Sequence, residues 1–220
     1  MGVLLLVRHG QASLGAADYD QLSDIGRRQA QITGARLAEA DLVVDRVVSG
    51  ALTRQRDTAL AVLAALGRPG AELQTDERLD EYDHVAVMAR HTGEITFETA
   101  SAGGESGRAL QSALEDAIGR WTSGGTDYSE THDAFVGRVL DAVRDLTAAP
   151  GGTVAVTSGG VIAAVCAQAL GLPIERWPGL ARLLVNASIT KFISGRTGTN
   201  LLTFNDHAHL ESDRSLITYR

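Results

Sequence analysis

Four short stretches of the sequence carry side chains suited to handling a phosphoryl group. Arg8-His9-Gly10 follows an apolar run at residues 3–7, and Ser49 and Arg54 bracket the start of a second patterned segment. Glu81 follows Leu79-Asp80, and Thr157-Ser158-Gly159-Gly160 follows a third apolar run at 152–157. A guanidinium fork matches two phosphate oxygens at once and stays charged at every working pH. A neutral imidazole can attack phosphorus, and a carboxyl group can pass a proton to a leaving oxygen. Gly10 gives an anion room to approach the backbone, and a helix opening after Ser158 offers N–H donors. Each residue also has a plain reading. Arg8 and His9 would suit a solvated loop, Arg54 a helix surface, and Glu81 an acidic face with Asp76, Glu77, Asp80 and Asp83.

Elements of alternating type must bring these stretches together. The runs at 3–7, 43–49 and 152–157 have strand length, and the first is apolar throughout, as in a strand covered on both faces. Helical patterning over about 24–40, with Ser23 or Asp24 as N-cap, follows the first; a second helix over 52–66 ends at Gly67 and Pro69. A third, over 160–170, stops at Gly171 and Pro173, and residues 72–79 suggest a short strand. Residues 188–194 and 200–205 read as a hairpin closing on 195–198. The result is an α/β class, a three-layer α/β/α sandwich on a mainly parallel sheet, in one domain over residues 1–220. Residues 81–147 break the alternation with helical patterning at 109–121 and 132–146 and Gly-rich breaks at 103–104 and 124–125. An excursion of that size suits a lid over the cleft. Ligands in such sheets bind outside the carboxyl ends of the strands, where the four stretches fall.

Composition narrows the chemistry. The net charge of −7 argues against a nucleic-acid partner. Of the 20 basic residues only Lys191 is lysine, and its neighbours cannot form a Gly-Lys-Ser/Thr phosphate loop. The lone Cys166 sits in an apolar run and excludes a cysteine-based zinc cluster. The apolar start is short and soon charged, and no stretch approaches 18 apolar residues, so a cytoplasmic chain without membrane contact is expected.

Arg8-His9-Gly10 after a first strand, followed by Ser49-Gly50-Ala51-Leu52-Thr53-Arg54-Gln55-Arg56-Asp57-Thr58-Ala59, resembles the histidine phosphatase superfamily, the phosphoglycerate-mutase-like fold. Further matches in the same order are residues 22–30, Leu79-Asp80-Glu81, Asn186-Ala187-Ser188-Ile189 and residues 205–210. The resemblance implies that His9 becomes a phosphohistidine while Arg8 and Arg54 hold the phosphoryl oxygens. It implies that Glu81 protonates the leaving alkoxide and then deprotonates water. Gly10, Ser13, Ser158 and Gly159 would complete the phosphate pocket, with no cofactor and no metal. A metal-independent phosphomonoester hydrolase acting on a small phosphorylated substrate, as a monomer or homodimer, is the function expected from this resemblance.

Three positions depart from the family pattern. Ser158 stands where the second histidine belongs, Ala12 replaces a hydroxyl (Ser13 is adjacent), and Gly15 replaces an asparagine. Exchanging a charge-assisted bond for a neutral one costs about 1–2 kcal/mol, so weaker activity is expected. His84, three residues beyond Glu81, is the imidazole best placed to compensate. Alternatives are a phosphomutase of the same superfamily, a degenerate phosphoester-binding protein, and a serine hydrolase with Ser158, Asp206 and His209 in that chain order. Arg56 reads as a surface residue, and His207 and His209 as structural.

Overall fold

The computed structural model describes residues 2–13, 20–40, 42–68, 72–92, 105–148, 150–173, 176–196 and 198–219. Gly15, Pro69 and Gly103-Gly104 lie outside the described residues. The opening apolar run forms β1 (Gly2–Arg8), and its alternation explains its central position. Leu4 and Leu6 face one core cluster while Leu5 and Val7 face another. Ser23 caps α1 (Asp24–Glu39), its side chain accepting from the Gly26 N–H at 3.0 Å. Next come β2 (Val44–Ser49), α2 (Thr53–Ala65) and β3 (Gln74–Thr75). The strand expected over 72–79 is only two residues long. Asp76 turns the chain by accepting from the Arg78 N–H, which opens a 3-10 turn at Glu77–Leu79.

Three helices, α3 (His84–Thr92), α4 (Glu105–Thr122) and α5 (His132–Ala148), then precede β4 (Gly151–Thr157). Thr131 caps α5 by accepting from the Ala134 N–H, whereas Glu130 is spent on a two-pronged ion pair with Arg138. After β4 come α6 (Gly159–Leu170), α7 (Trp177–Leu183) and the antiparallel pair β5 (Ile189–Gly195) and β6 (Gly198–Asp206). Gly171, at φ 61°, ends α6 in the left-handed conformation that favours glycine. Helices α3 and α7 were not expected from the sequence. Both are short and lie beside stretches rich in turn residues.

The sheet order is β3-β2-β4-β1-β5-β6, with β1 to β4 mutually parallel and β5 and β6 antiparallel. Helices α1 and α2 cover one face, with Val47, Ala59, Val62, Val154 and Val156 between. On the other face α5 and α6 pack around Leu4, Leu6, Phe135, Val139, Ile162 and Val165. This is the three-layer arrangement that the alternation implied. The connection from β1 runs to β2 on one side, and that from β4 runs to β5 on the other. A crevice therefore opens at the carboxyl ends of β1 and β4, where Arg8 pairs in register with Thr157. No helix among the described residues is long and apolar enough to cross a membrane.

Candidate active site

His9 leaves β1 at this crevice and is buried. Its Nδ1 lies 2.7 Å from the Gly10 carbonyl oxygen, and its Nε2 is 3.1 Å from the Nε of Arg54. A carbonyl can only accept and a guanidinium can only donate, so Nδ1 carries the proton and Nε2 the lone pair. Burial, then the charges of Arg54 and Arg8, holds the imidazole well below the ordinary histidine value near 6.5. A neutral ring with its Nε2 lone pair facing the Arg54 guanidinium, in the field of Arg8, is a nucleophile placed for an anionic electrophile.

Backbone carbonyls and one carboxylate fix the arginines. Arg8 donates to the Leu184 carbonyl and, from Nη2, to the Tyr219 carbonyl at 3.1 Å. Arg54, in the first turn of α2, donates from Nη1 to Asp20 Oδ1 at 2.6 Å. Asp20 Oδ2 accepts the Thr53 N–H at 2.7 Å, closing the start of α2, whose N-cap Leu52 has no side-chain acceptor. One turn on, Thr58 Oγ1 donates to the Arg54 carbonyl and accepts from the Gly10 N–H. Gly10's amide is thereby occupied. The space it gives serves α1 instead, since a Cβ there would lie 2.4 Å from the Gly26 oxygen. The His9 carbonyl accepts from Ala187 N–H and Asn186 Nδ2.

Glu81 follows the 3-10 turn and is clamped by backbone. Its Oε2 accepts the Gly160 N–H of α6 at 2.9 Å, and its Oε1 the Tyr82 N–H at 3.3 Å. Burial raises its carboxyl above the ordinary range, outweighing the Gly160 bond and the charges of Arg54 and Arg8. Tyr82 stacks on Trp121 at 4.8 Å and meets Trp177 edge-on at 5.5 Å, and Trp177 Nε1 donates to the Gly160 carbonyl. These rings pack beside the carboxyl and contribute apolar surroundings that disfavour its charged form. His84 opens α3; burial and the Arg54 charge lower its imidazole, against the opposing pull of Asp83.

Ser158 is fully buried between β4 and α6, and its hydroxyl accepts from Gln55 Nε2 at 2.9 Å. Gly159 opens α6 against Arg8; a Cβ there would lie 3.6 Å from Arg8 Nε. The structure thus gathers Arg8, His9, Arg54, Glu81, Ser158 and Gly159 at one end of the sheet. Ser13 is set differently. Its N–H donates to the Gln21 carbonyl, and it lines an open depression of about 400 Å³ with Gln11, Ala12, Ser23, Asp24 and Arg27. None of Arg8, His9, Arg54 and Glu81 lines that depression. His209 bonds to Thr33 Oγ1 and the Ala187 carbonyl, and Asp206 accepts from the Ala208 N–H, so neither partners Ser158. A serine-hydrolase triad is therefore not assembled. Arg56 is exposed, donating to Thr75, and Cys166 is buried, its thiol pushed up to about 12.

Asp20 and Gln55 are site residues that sequence reasoning did not single out. Asp20 had a faint signal, a carboxylate just before the Leu22-Ser23-Asp24 helix start. Gln55 had a clearer one, an amide directly after the arginine of the second motif.

The switch point of an α/β sheet, with a neutral histidine bonded to one arginine and in the field of a second, defines a phosphoryl-handling class of protein. The chain belongs to the histidine phosphatase superfamily (branch 1), whose family model matches residues 4–207, and it is an enzyme of that type. It is 33% identical over 189 residues to a glucosyl-3-phosphoglycerate phosphatase of Mycolicibacterium vanbaalenii, covering 80% of this chain and 78% of that one. It is 34% identical over 90 residues to a 2,3-bisphosphoglycerate-dependent phosphoglycerate mutase of Rhizobium etli, covering 38% of this chain and 42% of the mutase. Its fold matches a phosphoserine phosphatase mutant of Entamoeba histolytica in complex with phosphoserine, with TM-score 0.64, 21% identity and coverage of 96% and 100%.

Proposed function

We propose that the chain is a metal-independent phosphomonoester hydrolase acting on a small phosphorylated metabolite through a phosphohistidine at His9. The observation that carries this reading is the His9 tautomer: Nδ1–H on the Gly10 carbonyl and the Nε2 lone pair facing Arg54. Nε2 attacks phosphorus; the N–P bond forms as the bond to the ester oxygen breaks. Arg8 and Arg54 bind the phosphoryl oxygens and absorb the charge that develops on them. Glu81, its carboxyl raised above the ordinary range by burial, gives its proton to the departing alkoxide. The resulting carboxylate then takes a proton from water as that water attacks phosphorus. The N–P bond breaks, inorganic phosphate leaves, and Glu81 is protonated again.

Two of the proteins compared above are named as phosphatases of small phosphorylated compounds, which supports the substrate class. Helices α3 and α4 serve as the lid over the site within one domain, whereas α5, the last part of the expected excursion, is a layer of the sandwich itself. His84 is an auxiliary group beside the proton donor, and the chain works in the cytoplasm. The mutase reading has the partial likeness to phosphoglycerate mutases in its favour. A panel of phosphomonoesters, assayed with wild type and His9→Ala between pH 5 and 8, separates the readings. Release of inorganic phosphate, with an acid-labile phosphoenzyme absent from His9→Ala, is the expected result. Phosphoryl transfer to a second substrate hydroxyl in preference to water would favour the mutase. Turnover surviving in His9→Ala would overturn the mechanism, and phosphate binding without turnover by the wild type would leave a binding protein.

A further inference from the structure

The exchange of a histidine for Ser158 is accompanied by a second arrangement at the same spot. Gln55 is fully buried in the first turn of α2. Its Oε1 accepts the Leu52 N–H at 3.3 Å, which fixes the orientation of the carboxamide. Its Nε2 then donates to the Leu79 carbonyl at 3.2 Å and to Ser158 Oγ at 2.9 Å. Both N–H bonds of the amide are used, and the hydroxyl of Ser158 is an acceptor toward Gln55. No bond among the described residues uses the hydroxyl's own proton. The only direction left for it is away from Gln55.

Room for this arrangement comes from Gly50. A Cβ at that position would lie 2.0 Å from Gln55 Oε1 and 2.5 Å from Asp80 Oδ1. Asp80 itself accepts the Ala51 N–H at 2.6 Å, so the neighbouring turn has no slack. Leu79's carbonyl is held from the other side by Thr157 Oγ1 at 2.5 Å. Gly50, Gln55 and Ser158 are thus geometrically interdependent. The Ser158 hydroxyl lies one residue beyond the Arg8–Thr157 register pair, and one residue short of the Gly159 N–H that opens α6. Ser158 thus stands between two parts of the His9 site, Arg8 on β1 and the opening of α6, with its hydroxyl proton uncommitted among the described residues.

We infer that Gln55 is a positioning residue that, by donating to Ser158 Oγ, fixes the Ser158 hydroxyl as an uncharged donor to the transferring phosphoryl group. The pair does by orientation what a cationic imidazole does by charge, and neither member titrates in the working range of the enzyme. A pre-aimed donor costs no reorganisation as charge develops on the phosphoryl oxygen. This inference rests on the phosphohistidine reading above.

The test compares Ser158→Ala, Ser158→Thr, Gln55→Leu and the double variant Gln55→Leu/Ser158→Ala, with His9→Ala as control. Turnover of a phosphomonoester and inhibition by orthovanadate are read for each, beside the melting temperature. Ser158→Ala is expected to lower kcat about three- to tenfold, the worth of one neutral hydrogen bond, with KM moving less than twofold. Ser158→Thr, which keeps the hydroxyl, restores most of that loss. Gln55→Leu lowers kcat by a similar factor in wild type and has almost no further effect on kcat once Ser158 is alanine. Orthovanadate inhibition weakens in parallel with kcat. Equal losses from Gln55→Leu in both backgrounds, or a lower melting temperature with kcat intact, would overturn the inference. If Gln55→Leu does not fold, the near-isosteric Gln55→Met replaces it, and Ser158→Ala as active as wild type is by itself enough to refute the pair. Survival of turnover in His9→Ala would instead strike at the phosphohistidine reading. An inactive His9→Ala beside a fully active Ser158→Ala strikes at this inference alone.

Discussion

The guanidinium of Arg54 donates from Nε to Nε2 of His9 at 3.1 Å while its Nη1 is held by Asp20 at 2.6 Å. One planar group thereby links the reacting nitrogen to a carboxylate that closes the start of α2. Only a group with several donors fixed in a plane can span both partners, so lysine is a poor substitute. Arg54→Lys is expected to lower kcat about 100-fold, the scale for losing one preorganised donor at a developing anion. Asp20→Asn keeps an acceptor but not its charge, so its cost stays below about tenfold. Steady-state kinetics on the two purified variants checks both.

The pH dependence follows from two groups moved in opposite directions. His9 is depressed, so it gains a proton, and activity falls, only well below pH 6.5. Glu81 is raised, so it loses the proton it must donate, and activity falls on the alkaline side, later than an ordinary carboxyl would dictate. A plot of kcat/KM against pH is expected to be bell-shaped, its acid limb set by His9 well below pH 6.5 and its alkaline limb by Glu81 above the ordinary carboxyl range. Glu81→Gln should lose about 100- to 10,000-fold on alkyl phosphates and erase the alkaline limb. The loss in phosphoenzyme formation is smaller with p-nitrophenyl phosphate, whose leaving group needs no proton.

His132, in the first turn of α5, is buried against Trp121 and Trp177, with neither ring nitrogen hydrogen-bonded among the described residues. Burial holds its imidazole below the ordinary 6.5, so near that pH the unfolded chain takes up a proton that the folded one refuses. Stability is therefore lost as pH falls from about 6.5, with His9, His84 and His209 contributing in the same direction. His132→Phe removes the uncompensated polar atoms and is expected to add about 1–2 kcal/mol. Its melting temperature also declines less steeply between pH 7 and 5, as differential scanning calorimetry would record.

Restoring the histidine of the family pattern is not expected to speed the enzyme. Ser158 is fully buried and its hydroxyl touches Gln55, so an imidazole there collides with the carboxamide. Ser158→His alone should lower kcat and cost a few kcal/mol of stability through overpacking. Adding Gln55→Ala vacates the space and should recover both. A single Ser158→His variant faster than wild type would contradict the packing described for this pocket.

Much of this was legible in the sequence because local pattern and long-range geometry agree. The run at 3–7 alternates between two cores yet is apolar throughout, so the strand was plain and Arg8 and His9 fell at its carboxyl end. Ser23, one of the two N-cap candidates ahead of the helical pattern, is the residue that caps α1, accepting from the Gly26 N–H. The limits are equally physical. Helices α3 and α7 are short, and their burial depends on tertiary packing that no local period encodes. The Ser13 N–H donates to the Gln21 carbonyl, a contact across a loop that motif spacing does not encode. The bond between Gln55 and Ser158 joins residues 103 positions apart, and motif spacing cannot reveal such a contact. The close approach of Gly10 to the backbone of Gly26 is a further contact that no local pattern encodes.

Arg8 leaves the ribosome 211 positions ahead of the Tyr219 carbonyl that holds its Nη2. Asn186 and Ala187, which support the His9 carbonyl, also arrive late. The hydrophobic faces of β1 and α1 can begin to bury long before these partners exist. Order of synthesis therefore separates folding from competence. A nascent chain carries its nucleophile and both guanidinium groups well before their supports exist, and acquires a rigid anion site only when residues 186–187 and the segment around residue 219 dock.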